Sequence, residues 1–281
     1  MSDTFIGVDL GGTNARAGWV TEGEIVNIES ERIDSLKSEQ EVIDVLMDLI
    51  GSHSHDGVKG IGIGVPSVVD TELGVVYDVQ NLPGWEEVSL ASLVTDRFNL
   101  PVKVNNDANC LALGEYHFGK GKPFESLIGL NIGTGFAGGI IINGKLYEGH
   151  NCGAGEFGSI PFKDTILEHY CGGLYFEREH RRTGEKLAQK AEKGDIRAMA
   201  AFREFGRYLG FALKSILYNY DPEAIILGGS VSKSYPYFKN AMMEELDDFS
   251  FQKTLDNLTI EVSENEHIAI LGAAALCLGN H

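Results

Sequence analysis

The chain has 281 residues, 43% hydrophobic and 23% charged, and its formal net charge at pH 7 is −18. This negative excess disfavours nucleic acid and anionic membranes as partners, because both are bound by clustered lysine and arginine. No apolar run reaches the 18 residues of a membrane span, the N-terminus lacks a signal-peptide pattern, and the four cysteines form no CxxC pair, so the sequence predicts a cytoplasmic protein.

The first segments along the chain are two apolar strands around a glycine turn. TFIGVDL at 4–10 and AGWV at 17–20 are joined by a segment that begins GGTN. Glycines after a strand let backbone N–H groups face an anion, and Thr13 adds a hydroxyl donor. Asp9 fits beside a phosphate only if Mg²⁺ or its hydration shell lies between them. A tight turn without a ligand is the alternative, since neither a P-loop nor a Rossmann glycine pattern is present.

Helical and turn-rich segments follow. Apolar spacing in EQEVIDVLMDLI at 39–50 and in SLASLVTDRF at 89–98 predicts two amphipathic helices. GVPSVVD at 64–70 and NLPGW at 81–85 combine glycine–proline turns with a serine, an asparagine and a tryptophan. These turns either line a sugar pocket or lie on the surface.

The motif VNNDANC at 104–110 places Asp107 where a strand at 101–106 meets a helix at 108–118. A polar residue at such a junction is often only a helix N-cap. Two neighbouring asparagines favour a different role, because their amides both donate to and accept from a polyhydroxyl ligand. A carboxylate at the floor of a cleft can then take a proton from a hydroxyl nucleophile.

A second glycine hairpin repeats the first one. IGLNIGTGFAGGI at 128–140 aligns with IGVDLGGTNARAG at 6–18 at an offset of 122, which sets Asn131 opposite Asp9. The second copy continues into the hairpin turn Asn-Gly at 143–144. Such a repeat predicts a duplicated domain with a cleft between the copies, the alternative being two unrelated hairpins.

The C-terminal part adds two helices around a strand. Residues 196–220 predict a long helix, and IAILGAAALCLG at 268–279 predicts a buried one. AIILGG at 224–229 predicts a buried strand, whose end at LGGS offers backbone to the base and ribose of a nucleotide. Strands alternate with helices along the chain, which indicates an α/β fold.

These segments together resemble the ROK family of sugar kinases, within the actin/hexokinase-like ATPase superfamily. The resemblance runs in family order over nearly the whole chain, through GVDLGGTNARAG, GIGIGVPSVVD, NLPGW, VNNDANCLALGE, NIGTGFAGGI, NGKLYEG, GAGEFGS and AIILGGSV. It implies two RNase H-like domains with ATP and a sugar in the cleft between them, and a homodimer. We place the first domain at 1–115 together with 268–281, and the second at 116–267.

The resemblance also implies residue roles. Asp107 would be the catalytic base, for which an ordinary carboxylate pKa would suffice, and Asp9 would help to hold Mg²⁺. The phosphates of ATP would be bound by Gly11, Gly12, Thr13, Gly133, Thr134 and Gly135, and the nucleoside would lie near Gly228, Gly229 and Ser230. The sugar would contact Pro66, Ser67, Asn81, Asn106, Asp107 and Glu156, with Glu177 as a further contact and Glu179 as its alternative.

One segment departs from the family pattern. Many members carry a zinc-binding histidine where this chain has Ser159, followed by a CxCGxxGC run, but HYCGGLYFERE at 169–179 keeps only Cys171. No structural zinc is therefore expected at the usual place, because glycine, leucine and tyrosine cannot replace thiolate and imidazole ligands. A different site built from His150, Cys152, His169 and Cys171 is left open.

The sequence thus predicts an ATP-dependent kinase that phosphorylates the 6-hydroxyl of a hexose, as a glucokinase does. Fructose, mannose, N-acetylmannosamine and N-acetylglucosamine are alternative substrates. A sugar-sensing regulator is a second hypothesis, although family repressors carry an additional N-terminal DNA-binding domain and the first strand here begins by Thr4. A scaffold ATPase without sugar chemistry is a third.

Overall fold

The computed structural model describes residues 3–33, 38–79 and 84–279. Its strands are β1 Thr4–Leu10, β2 Asn14–Thr21, β3 Glu24–Arg32, β4 Val58–Val65, β5 Val68–Asp70, β6 Val75–Tyr77, β7 Glu87–Val88, β8 Val102–Asn106, β9 Leu127–Ile132, β10 Phe136–Ile142, β11 Lys145–Leu146, β12 Pro161–Phe162, β13 Thr165–Ile166, β14 Ala224–Gly228 and β15 Thr259–Val262. Its α-helices are α1 Glu39–His53, α2 Leu90–Phe98, α3 Asp107–Phe118, α4 Glu168–Cys171, α5 Leu174–His180, α6 Gly184–Glu192, α7 Ile196–Tyr220, α8 Tyr235–Leu246, α9 Gln252–Asn257 and α10 Ile268–Ala275. This mixture confirms the predicted α/β class.

Two five-stranded sheets share one topology. The first has the order β3-β2-β1-β4-β8 and the second β11-β10-β9-β14-β15. In each sheet the first three strands are antiparallel and the last two run parallel to the central strand. The offset repeat in the sequence therefore corresponds to a repeated fold unit, and the reading as two unrelated hairpins is wrong.

The outer hairpin turns have matching geometry. Glu22 and Gly23 join β2 to β3, and Asn143 and Gly144 join β10 to β11, all four with positive φ. Two successive residues with positive φ make the turn whose twist matches that of antiparallel strands. The Asn-Gly turn was thus predictable from its residues alone.

Each sheet has its own core, and small residues let two helices pack at the centre. Helix α10 lies against β1 and β4, where a Cβ at Gly7 or Gly62 would collide with the α10 backbone. The same helix crosses α3 with Gly272 close to Gly114. Helix α3 also packs on β9 and β10, so it contacts elements of both sheets. The domain boundaries at residues 115 and 268 stay a prediction.

Helix ends follow local signals. Ser38 and Glu41 form a capping box at the start of α1, and Asp195 caps α7. Helix α7 ends where Asp221 adopts a left-handed conformation, one residue before Pro222. In the described part of the chain, no helix is long and apolar enough to cross a membrane.

Candidate active site

A cleft of about 1290 Å³ opens between the glycine turns of the two sheets. Its walls come from the β1–β2 and β9–β10 turns, one side of α3 with the two residues that follow it, the segment after β14 and the loop between β15 and α10. The predicted site residues that line it are Asp9, Gly11, Gly12, Thr13, Asp107, Gly133, Thr134, Gly229 and Ser230. The fold therefore brings both glycine turns to one cavity with Asp107.

Two of the predicted ATP-contacting glycines, Gly135 and Gly228, are not among the residues that line the cleft. A Cβ at Gly135 would stand 2.5 Å from Oε2 of Glu168, and a Cβ at Gly228 would stand 2.5 Å from Leu111. Close packing against these side chains therefore explains both glycines. Contact of either glycine with ATP stays a prediction.

Asp107 is the first residue of α3 and is not its N-cap. The side chain of Asn106 caps the helix, accepting the N–H groups of Ala108 at 2.8 Å and Asn109 at 3.4 Å. Asp107 accepts the Ala108 N–H at 2.8 Å through Oδ1, and Asn131 Nδ2 donates to its Oδ2 at 3.3 Å. The N-cap alternative for Asp107 is therefore wrong, and its carboxylate lies in the cleft wall.

The electrostatic surroundings of Asp107 are negative. Burial raises its pKa to about 7, the charges of Asp9 and Glu156 add to the shift, and the hydrogen bond from the Ala108 N–H opposes it. Removing water from a carboxyl group disfavours its charged form, so the pKa of Asp107 lies above the ordinary carboxylate value that would suffice for a base. A pKa near neutrality suits a general base.

Asp9, at the end of β1, pairs with Arg16 across the first hairpin. Arg16 NH1 lies 3.3 Å from Asp9 Oδ2, and the two residues face each other in the antiparallel register. Burial raises the pKa of Asp9, while the charge and hydrogen bond of Arg16 lower it. The predictions gave Arg16 no role, although the hairpin register would have placed it beside Asp9.

Ser67 and Asn106, two of the predicted sugar contacts, form one connected unit and are not among the residues that line the cleft. Asn106 Nδ2 donates to the Ser67 carbonyl at 3.2 Å, and Ser67 Oγ donates to the Tyr77 carbonyl. Pro66 precedes this turn directly. The predicted sugar contact Asn81 lies outside the described residues. The sugar roles of Pro66, Ser67 and Asn106 stay predictions.

Glu156 is electrostatically linked to both Asp107 and Glu168. Partial burial raises the pKa of Glu156, and the negative charge of Glu168 adds to the shift. Glu168 also accepts the Phe136 N–H at 3.3 Å, directly after the second glycine turn. Glu168, to which the sequence analysis gave no role, therefore acts on Glu156 and also bonds the backbone that follows the second glycine turn.

The two alternative sugar-contacting glutamates on α5 differ in their partners. Glu177 is exposed and makes no side-chain hydrogen bond within the described residues, whereas Glu179 Oε1 lies 3.2 Å from Arg178 Nε. The negative charge of Glu179 also acts on Tyr175 and Tyr208, inside or beside the second core. Both glutamates are exposed and neither lines the cleft, so a sugar contact by Glu177 or by Glu179 stays a prediction.

The four residues of the alternative metal site do not converge. Cys152 packs with the core of the first sheet and Cys171 with the core of the second. His169 Nδ1 lies 2.8 Å from Thr165 Oγ1, and His150 is exposed. Among the described residues, no group of three or more His, Cys, Asp or Glu side chains is placed to hold a metal ion.

Comparison with known proteins identifies the family of this chain. The model of the ROK family matches residues 5–280. The chain belongs to the ROK family. A crystal structure of a ROK family glucokinase from Streptomyces griseus, in complex with glucose and AMPPNP, superposes with a TM-score of 0.84 at 28% identity over 97% of this chain and 98% of its own. The predicted two-domain actin/hexokinase-like fold is thereby confirmed.

ROK relatives of this chain include both enzymes and regulators. The glucokinase of Halalkalibacterium halodurans is 28% identical over 94% of this chain and 91% of its own length. The xylose repressor of Caldicellulosiruptor bescii is 29% identical over 99% of this chain and 78% of its own length. Family membership alone therefore does not decide whether this chain is an enzyme or a sugar-sensing regulator, and the residues of the site must decide it.

Proposed function

We propose that this ROK protein transfers the γ-phosphoryl group of ATP to the 6-hydroxyl of a hexose, with Asp107 as the general base. The observation that carries the proposal is the position of Asp107, which lies in the cleft between two glycine turns with a pKa of about 7. A sugar-binding regulator has no need of a proton acceptor beside a phosphate site.

The proposed reaction involves Asp107, the sugar hydroxyl and the γ-phosphoryl group of ATP. Asp107 accepts the proton of the sugar hydroxyl, whose oxygen bonds to the γ-phosphorus as the bond from that phosphorus to the β–γ bridging oxygen breaks. ADP then leaves with the bond's electron pair. Backbone N–H groups of Gly11, Gly12 and Gly133 and the hydroxyls of Thr13 and Thr134 are suited to positioning the phosphates, which is the main source of rate acceleration in phosphoryl transfer.

The residues around Asp9 fit a magnesium ion. Asp9 and Asp107 are both half-buried carboxylates with raised pKa values, and Arg16 reaches Asp9 at 3.3 Å, which is long for a charge-assisted hydrogen bond. Asp9 would hold Mg²⁺ through an oxygen ligand or a bound water. When bound with ATP, the ion would offset the negative charge of the phosphates.

Asp9→Asn tests this role. The variant is expected to need ~10-fold or more free Mg²⁺ for half-maximal activity, since an amide is a weaker ligand than a carboxylate for a hard cation. Titration of Mg²⁺ at fixed ATP measures the shift. Asp256→Asn, an exchange at an exposed position of α9, is the matched control and is expected to follow the wild-type titration.

The experiment that tests the function is ADP release from MgATP across hexoses and N-acetylhexosamines. We expect one sugar to accelerate ADP release far above the sugar-free rate, with glucose as the first candidate and fructose, mannose, N-acetylmannosamine and N-acetylglucosamine as alternatives. Ser159 stands where many family members have a histidine, so the sugar preference of members with that histidine need not apply to this chain. ATP hydrolysis that no sugar accelerates would contradict the proposal.

A sugar-responsive regulator is the second candidate, favoured by the similarity to a xylose repressor. Two measurements on one protein sample distinguish the regulator from the kinase. Calorimetric binding of a sugar without any sugar-stimulated ADP release would support the regulator. Cytoplasmic location and a homodimer stay predictions, and native mass spectrometry measures the second.

The pH profile follows from the raised pKa of Asp107. A base must be unprotonated, so kcat/KM is expected to fall about tenfold for each pH unit below roughly 7, because kcat/KM reports the pKa values of the free enzyme. The measurement uses subsaturating sugar and MgATP between pH 5 and 8.5. A profile that stays flat down to pH 5 would show that the base has an ordinary carboxylate pKa.

A further inference from the structure

The loop between β11 and the turn at residue 157 carries Glu156 and lies against the end of β8. This loop, residues 147–156, follows the hairpin of the second sheet, yet its Cys152 packs in the core of the first sheet. Some interaction must therefore hold the loop in register with Asn106 and Asp107, which follow β8.

Asn105 is the centre of that interaction. Its side chain is buried, with 2% of the residue exposed. Its Oδ1 accepts from the Asn106 N–H at 2.8 Å, from Asn109 Nδ2 at 2.9 Å and from Cys152 Sγ at 3.4 Å. Its Nδ2 donates to Glu148 Oε1. One amide thus connects the Asn106–Asp107 turn, helix α3 and the loop.

Two residues of the loop, Cys152 and Glu148, make the side-chain contacts on the loop side of this network. Cys152 has a φ of 55°, a conformation that favours glycine, yet its buried thiol bonds Asn105 and accepts from Asn109 Nδ2 at 3.7 Å. Glu148 also accepts from Thr71 Oγ1 at 3.3 Å. The start and the middle of the loop are thereby attached to the first sheet and to the turn between β5 and β6.

We propose that Asn105 is a positioning residue, which fixes the loop 147–156 so that Glu156 and Asp107 meet the sugar in one geometry. The sequence suggested that both asparagines face a ligand, but the side-chain amide of Asn105 is hydrogen-bonded to other residues of the protein. The inference rests on the proposed function where it concerns the sugar, whereas the attachment of the loop is independent of it.

The test reverses the direction of the hydrogen bond between Asn105 and Glu148. Asn105→Asp keeps the acceptor for Asn106, Asn109 and Cys152, but it places a carboxylate against Glu148. The double variant N105D/E148Q restores a hydrogen bond with donor and acceptor exchanged. Asn151→Asp, which adds a negative charge at an exposed position of the same loop, is the matched control.

For N105D we expect the KM for the sugar to rise ~10-fold or more, while the KM for MgATP changes less than about twofold, because only the sugar side is misaligned. Hydrogen–deuterium exchange of residues 147–156 is expected to speed up in N105D. N105D/E148Q is expected to recover most of both properties, and N151D to resemble wild type. If N105D does not fold, Thr71→Val removes one Glu148 bond more mildly and is expected to raise the sugar KM and loop exchange to a smaller extent.

Unchanged loop exchange and sugar KM in N105D, or a double variant no better than N105D, would overturn the inference. A parallel rise of both KM values with a lowered melting temperature would do so too, since it would show general destabilisation. If no sugar stimulates wild-type ADP release, the proposed function fails, and the exchange rates of the loop still decide whether Asn105 holds it.

Discussion

Asp107→Asn is expected to lower kcat by roughly 10²- to 10⁴-fold, which is the range for removal of a general base. The amide keeps the size of the side chain and an acceptor for the Ala108 N–H, so α3 should begin as before. Sugar and MgATP binding are expected to change little. Coupled measurement of ADP release gives kcat, and calorimetry gives both affinities.

The melting temperature of D107N shows whether its loss of activity comes from the lost base or from loss of the folded structure. Because the folded-state pKa of Asp107 is raised to about 7 from 3.8, the wild-type protein loses stability as pH rises through that range. A neutral amide removes this effect, so D107N should melt at a higher temperature than wild type at pH 8. The difference should vanish below about pH 4. Near-normal turnover in a stable D107N protein would exclude Asp107 as the base.

Gly272→Ala is expected to destabilise the protein by about 2–3 kcal/mol, which corresponds to a melting temperature roughly 4–10 °C lower. A Cβ at this position would lie 2.7 Å from the Gly114 nitrogen and still closer to the Cys110 carbonyl oxygen. Neither backbone atom can move without separating α3 from α10. Because α3 begins with Asp107, we also expect activity to fall.

Gly153→Ala is the matched control for that substitution. No heavy atom lies within 4 Å of a Cβ at Gly153, and its φ is not positive. Scanning calorimetry of both variants measures the difference. A melting temperature for G272A equal to that of G153A would show that the two helices are not in backbone contact.

Local sequence signals predicted most of the regular structure. The ends of β1 and of α7 match the predicted residues 4–10 and 196–220, because hydrophobic patterning and turn residues specify such boundaries. The predicted helix at 39–50 extends to His53, since nothing in the sequence stops it earlier. The repeat at an offset of 122 predicted the common topology of both sheets.

The site was predictable where its residues lie in motifs and not where it depends on distant contacts. The glycine turns and Asp107 belong to short motifs, and the fold brings them to one cleft. The raised pKa of Asp107 depends on burial and on Glu156, which is 49 positions away in the chain. The network of Asn105 with Glu148 and Cys152 likewise needs the tertiary fold.

The most direct test of the central claim is ¹H–³¹P correlation NMR of the products from MgATP and the sugar that best stimulates ADP release. The proposed mechanism predicts a phosphomonoester signal coupled to the two protons on C6 of the sugar, present with wild type and nearly absent with D107N. Coupling to the proton on C1, or inorganic phosphate as the sole new phosphorus species beside ADP, would contradict transfer to the 6-hydroxyl.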